Sequence, residues 1–238
     1  MAGTAGARAL PPISMSASAF PAPVGAALTY SAGRVDFPVE GPTEAFSSLV
    51  PSAHVSTKKT SYSVGYYPCR PPLPLNDPRL DSCVTSNQDI WGGFGGQEYS
   101  SEKSALDALM ACGPWTCEMR VKMCPRSSRR VFVEGQKVSL CGGQRFGDFP
   151  AEVSWTDGTW KIVLTPTDTQ VWKQQTAALV MEERSVRLPQ YPGVIDQAAG
   201  FDNDNTVLKW TVGHVDFSVW AYFGGGMSTV ASFRQLAP

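Results

Sequence analysis

Beyond its first sixty residues the chain is dominated by alternation of period two. Residues 60–68 (TSYSVGYYP) place aromatic or aliphatic side chains between small polar ones and stop at a proline, which predicts a short strand. Residues 115–123 (WTCEMRVKM) alternate Trp115, Cys117, Met119, Val121 and Met123 with polar neighbours, and predict a strand with one apolar and one wet face. Val131, Val133, Val138 and Leu140 repeat that pattern around a turn-like Glu134-Gly135. In residues 151–164, Asp157-Gly158 predicts a two-residue type I′ hairpin with Trp155 directly opposite Trp160, and Val153 and Ile162 extending the same face. Two more strands, TVLKWTV and HVDFSVWAYF, close the pattern, the second with Val215, Phe217, Val219, Ala221 and Phe223 facing inward.

The helical period of 3.6 surfaces twice. Residues 100–114 combine Ser100 or Ser101 as a cap, apolar positions Ala105, Leu106, Leu109 and Met110, and Gly113-Pro114 as a stop. Residues 169–183 predict a second short helix with Val171, Ala178 and Leu179 inward. Between elements lie Pro, Gly and Asn-Asp stretches, including the clusters Gly92-Gly93-Phe94-Gly95-Gly96, Gly142-Gly143 and Gly224-Gly225-Gly226, all read as loops. No repeat recurs at any fixed period, which argues against propellers and solenoids.

The first 58 residues read differently. They are rich in Ala, Pro, Ser and Gly, with no acid before Asp36 and only Arg8 and Arg34 as bases among the first 57. Ordering costs about 1 to 2 kcal/mol per backbone residue, and so little apolar surface is not expected to offset it. Residues 1–58 are therefore expected to be an extended arm held by neighbouring subunits, with residues 59–238 forming the folded domain. A truncated chain would keep its fold and assemble poorly.

Charge and motifs narrow the function. Twenty bases against twenty-one acids give a net charge of -1 and no global field for polyanions. The only basic concentration is Arg120, Lys122, Arg126, Arg129 and Arg130, a solvated strand edge or a weak genome contact. No run approaches the roughly 20 apolar residues of a membrane span, and no continuous apolar block opens the chain, so an unexported, membrane-free protein is expected. The sequence contains no GxSxG, HExxH, GxxxxGK[ST] or GxGxxG, and its two histidines, His54 and His214, are remote in sequence from the cysteine cluster. Asp202, Asn203 and Asp204 resemble a calcium loop but lack its glycine and closing glutamate, so a polar turn is the reading.

Cys69, Cys83, Cys112, Cys117, Cys124 and Cys141 form an even set without a CxxC pair. A domain of this size does not need staples, so all six are expected reduced and free of metal. No catalytic, cofactor or metal residue is assigned.

The order of elements carries a resemblance: long arm, strand, long loop, the short helix ALDALM, a strand beginning at Trp115, the strand VFVEGQKVSL, a mid-chain hairpin, and a last strand running into VDFSVWAYFGGGMSTVASFRQLAP. This resembles the jelly-roll capsid proteins of small picorna-like RNA viruses. The resemblance implies an all-β, jelly-roll-like sandwich of two antiparallel sheets with one or two short helices, and a non-enzymatic shell subunit whose partners are copies of itself or related shell subunits. It would reside in a virion assembled in the host cytoplasm. A phage head or tail protein, an organelle assembly subunit, an unrecognised enzyme and a secreted disulfide-bonded module stay open on the same features.

Overall fold

The computed structural model describes residues 14–43, 52–83, 92–111, 129–141, 152–166, 171–186, 188–198, 205–221 and 232–237. The expected strand at 115–123 and the polar turn at 202–204 lie outside them.

The described chain is mostly β. β1 (Ser14–Met15), β2 (Glu40–Pro42) and β13 (Phe233–Leu236) form a three-stranded sheet in the order β1-β13-β2. The other ten strands form one sheet: β3 (Ser52–Lys58), β4 (Ser61–Tyr67), β5 (Gly92–Glu98), β6 (Arg129–Val133), β7 (Gln136–Cys141), β8 (Glu152–Asp157), β9 (Trp160–Thr165), β10 (Gly193–Ala198), β11 (Asn205–Val212) and β12 (Val215–Ala221). Their spatial order is β3-β4-β5-β12-β11-β10-β9-β8-β7-β6. Every pair is antiparallel except β9 with β10. A parallel neighbour needs a crossover of a dozen or more residues, and the segment holding helix α3 (Trp172–Ser185) supplies one. The expected mostly antiparallel β architecture is present, with this one parallel pair inside the ten-stranded sheet.

The closing strand has the expected place and register. β12 lies between β11 and β5, and Val215, Phe217 and Val219 are buried while Ser218 and Trp220 are partly exposed; Asp216, on the same face as those two, departs from the pattern and is buried. Phe217 stacks on Trp210 with ring centroids 5.8 Å apart. Phe223 lies outside the described residues. β4 matches its pattern too, with Tyr62, Val64 and Tyr66 buried.

Four expectations are corrected. The first is the arm: α1 (Ala22–Ala32) folds within it, and Val24, Ala27, Leu28 and Ser31, spaced along one helical face, are buried against the rest of the chain. β3 also falls inside residues 1–58 and pairs with β4 along its length. Small residues here serve close packing: a Cβ on Gly41 would meet Leu28 Cδ1 at 2.9 Å, and one on Gly25 would meet the Ala17 carbonyl at 2.4 Å. The tail segment carrying Phe233 forms β13 between β1 and β2 of its own chain.

The second concerns Gly92 to Gly96, which lie in β5 instead of a loop. Glycine is required there by neighbours: a Cβ on Gly93 would lie 2.1 Å from the Val64 carbonyl and 2.3 Å from the Trp220 ring, one on Gly95 2.5 Å from the Tyr62 carbonyl, and one on Gly96 2.6 Å from the Tyr62 ring.

The third is the hairpin register. Asp157 pairs with Trp160 and Trp155 with Ile162, so the turn residues are Gly158-Thr159. Gly158 has φ +53° and no positive φ occurs at Asp157 or Thr159, the first-position glycine of a type II′ turn. The change leaves Trp155 and Trp160 on the same buried face but makes them diagonal neighbours. The type I′ turn is at Glu134-Gly135, with φ +48° and +76°.

The fourth is the inward face of α3. Trp172, Thr176, Leu179, Val180 and Glu183 are buried there, whereas Ala178 is exposed. The other helix, α2 (Glu102–Met110), is as expected at its start: the Ser101 hydroxyl accepts the Ser104 N–H at 3.1 Å, and Ala105 and Leu109 face inward. Met110, expected inward, is exposed.

Candidate functional sites

The cysteines depart furthest from expectation. Cys69 and Cys83 form a disulfide across 14 residues, joining the end of β4 to a 3-10 turn at Leu80–Cys83. Cys141 is also disulfide-bonded, and Cys112, Cys117 and Cys124 lie outside the described residues. The expectation of six reduced thiols fails because Pro-rich residues 68–80 bring two cysteines remote in sequence into register, a juxtaposition that spacing alone does not reveal.

The stapled loop closes one edge of the large sheet. In the β3–β4 ladder, Ala53 and Val55 turn their backbone groups away from β4. Asn76 takes one group of each: its backbone N–H donates to the Ala53 carbonyl at 3.1 Å and its side-chain Oδ1 accepts the Val55 N–H at 2.6 Å. The Leu73 N–H donates to the Ser52 hydroxyl at 2.7 Å. Asn76 holds φ +57°, a conformation that asparagine tolerates better than most residues. The loop therefore does what a covering strand would do.

The opposite edge, β6, presents Arg129, Arg130 and Phe132 to solvent, and Phe132 is 73% exposed. Of the five basic residues singled out in the sequence, Arg120, Lys122 and Arg126 lie outside the described residues. Arg129 and Arg130 occupy an exposed strand edge.

His214 sits in the β11–β12 turn, and its Nε2 lies 3.1 Å from Glu98 Oε1 at the end of β5. The two line a shallow cleft of about 490 Å³ with Tyr99, Ser100, Ser101, Glu102 and Gly213. A histidine–carboxylate pair beside hydroxyls invites a nucleophile, but the Ser101 hydroxyl already caps α2 and shares a 2.8 Å hydrogen bond with Ser104 Oγ. A cysteine partner for His214 is not among the described residues, since Cys69, Cys83 and Cys141 are all bridged. His54 is exposed on β3. Among the described residues no group of histidine, cysteine and carboxylate side chains has metal-binding geometry.

Among the described residues three carboxylic acids are buried, a feature the sequence reading missed. Glu40, only 6% exposed, lies where β2 meets the Tyr62 hydroxyl, which accepts the Glu40 N–H at 3.0 Å and donates to the Glu40 carbonyl at 2.6 Å. Burial pushes its side chain up to about 7, against an opposing pull from Arg234. Glu183 on α3 accepts the Trp155 indole N–H at 2.9 Å. Burial raises its carboxyl above the ordinary range; the indole bond opposes this and the hydrogen-bonded Asp157 carboxyl reinforces it. Asp216 on β12 is raised by burial, while a 2.6 Å hydrogen bond from Thr211 Oγ1 pulls the other way. None of the three is marked by its local pattern: Glu40 stands in a three-residue strand buried throughout, Glu183 on a helix face whose packing the sequence does not give, and Asp216 on the alternate positions of β12 that periodicity assigns to solvent.

Comparison with protein-family models, with curated proteins and with solved structures finds no match.

Proposed function

We propose that this protein is a non-enzymatic structural subunit of a shell or comparable large assembly that meets an oxidising environment, as the surface of a virion does. The observation that carries this reading is the pair of bridged positions, Cys69–Cys83 and Cys141, in a mostly antiparallel β domain. Disulfides persist at virion and cell surfaces and in secreted proteins, and are rare in reducing cytosol. Maturation outside the reducing cytoplasm replaces the cytoplasmic location first expected. A jelly-roll sandwich is the finer form of this reading. The ten-strand order and its parallel β9–β10 pair depart from that topology.

The same bridges favour a second reading, a secreted binding module that acts as a small stable unit. Sedimentation and negative-stain imaging of the full chain, produced under oxidising conditions, distinguish the two. Closed or regular large particles support the shell subunit. A species no larger than a dimer under every assembly condition overturns it in favour of the module. Weak genome contact through Arg129 and Arg130, carried forward from the sequence, predicts nucleic-acid binding that falls steeply with salt.

A further inference from the structure

The two edges of the ten-stranded sheet are treated oppositely, and that asymmetry selects a partner. The β3 edge has its outward Ala53 carbonyl and Val55 amide taken by Asn76, so it cannot accept another strand there. β6 pairs only with β7 among the described strands, in a hairpin closed by Val133 opposite Gln136. Alternation from that closing pair directs the backbone groups of Val133, Val131 and Arg129 to β7, and leaves those of Arg130 and Phe132 pointing outward. Natural edge strands are blunted by charge or bulges; Arg129 and Arg130 supply charge here, yet among the described residues no strand covers this edge and a phenylalanine 73% exposed stands on it.

We propose that β6 is a self-association edge, pairing antiparallel with β6 of a second copy about a two-fold axis at Val131. In that register Arg130 of each copy exchanges backbone hydrogen bonds with Phe132 of the other, and each guanidinium lies beside a phenyl ring on the same face. Arg129 falls opposite Val133. Centring the axis on Arg130 would instead set like charges opposite one another. Centring it on Phe132 would require the Glu134 carbonyl, which already accepts Arg184 Nη2 at 2.7 Å. Growth of β6 onto the β3 edge of the next copy is blocked by Asn76, so strand addition closes as a dimer instead of continuing as a fibre. The pairing stands on edge geometry and does not require the shell reading; a dimer that builds no particle would support one and not the other.

The test is light scattering and sedimentation of the full chain across concentration, with amide hydrogen exchange read at Arg130 and Phe132. A shift from 25.6 kDa to twice that mass is expected, with both amides protected only in the dimer. Phe132→Pro removes an outward N–H and the ring while leaving the bonds to β7 intact. Phe132→Lys keeps the N–H and places a charge against Arg130 of the other copy. Each should weaken dimerisation roughly tenfold or more, with unchanged circular dichroism. If Phe132→Pro does not fold, Phe132→Lys and the exchange data decide. A monomer at all concentrations, including one that instead captures an unrelated extended peptide, overturns the proposal. So does a dimer indifferent to the substitutions or without protection at the two amides.

Discussion

Replacing Glu40 by glutamine should make the protein more stable at alkaline pH and leave it unchanged in acid. Glu40 is buried, its backbone is held at both ends by the Tyr62 hydroxyl, and the strand carrying it packs through Gly41 onto Leu28 and Val24. Its carboxyl titrates at about 7 in the folded chain against 4.5 for the ordinary group. Each unit of displacement corresponds to about 1.4 kcal/mol, so the ionised side chain costs the fold about 3 kcal/mol. The sign follows from proton binding. Between pH 4.5 and 7 the folded state keeps a proton that the unfolded state has lost, and stability falls by about 1.4 kcal/mol per pH unit. Below 4.5 the contribution is fully present; above 7 it is gone. Urea unfolding of the parent and Glu40→Gln from pH 4 to 9 should give equal stabilities at the acid end and a gap opening to about 3 kcal/mol at the alkaline end. Parallel pH profiles would refute the reasoning, because they would mean that the carboxyl ionises in the fold as freely as in the unfolded chain.

Phe217→Ala should cost roughly 3 to 5 kcal/mol in denaturant unfolding, since the ring is 2% exposed and stacked on Trp210 in a strand with neighbours on both sides. Gly95→Ala should destabilise by about 1 to 3 kcal/mol, because its Cβ would lie 2.5 Å from the Tyr62 carbonyl; a neutral result would show that β4 and β5 separate easily. Replacing Cys69 and Cys83 together by serine should lower stability by about 3 kcal/mol, as expected for opening a cross-link of that span, and non-reducing mass mapping of the parent should recover the Cys69–Cys83 peptide pair.

What the sequence determined by itself is the local periodic structure. Period-two runs placed β4, β6, β7, β8, β9, β11 and β12 because side chains of a strand alternate between faces whatever it pairs with. The Ser101 cap and the 3.6 period placed α2, since both act within a few residues of chain. The buried face of the Trp155–Trp160 hairpin was legible; its register was not, because a glycine serves equally as the second of the two positive-φ residues of a type I′ turn and as the single positive-φ first residue of a type II′ turn. The tertiary structure decided everything that depends on close approach. Alanine and glycine in residues 20–41 read as an arm from composition, yet small residues are what lets α1 lie against β3 and Gly41, where burial comes from fit instead of large side chains. Five residues rich in glycine read as a loop, yet the rings of Tyr62 and Trp220 and the carbonyls of β4 leave no room for a Cβ in β5. The Cys69–Cys83 bridge, the Asn76 closure of one sheet edge and the buried Glu40 each require partners far apart in sequence. Only the packed chain brings those partners together.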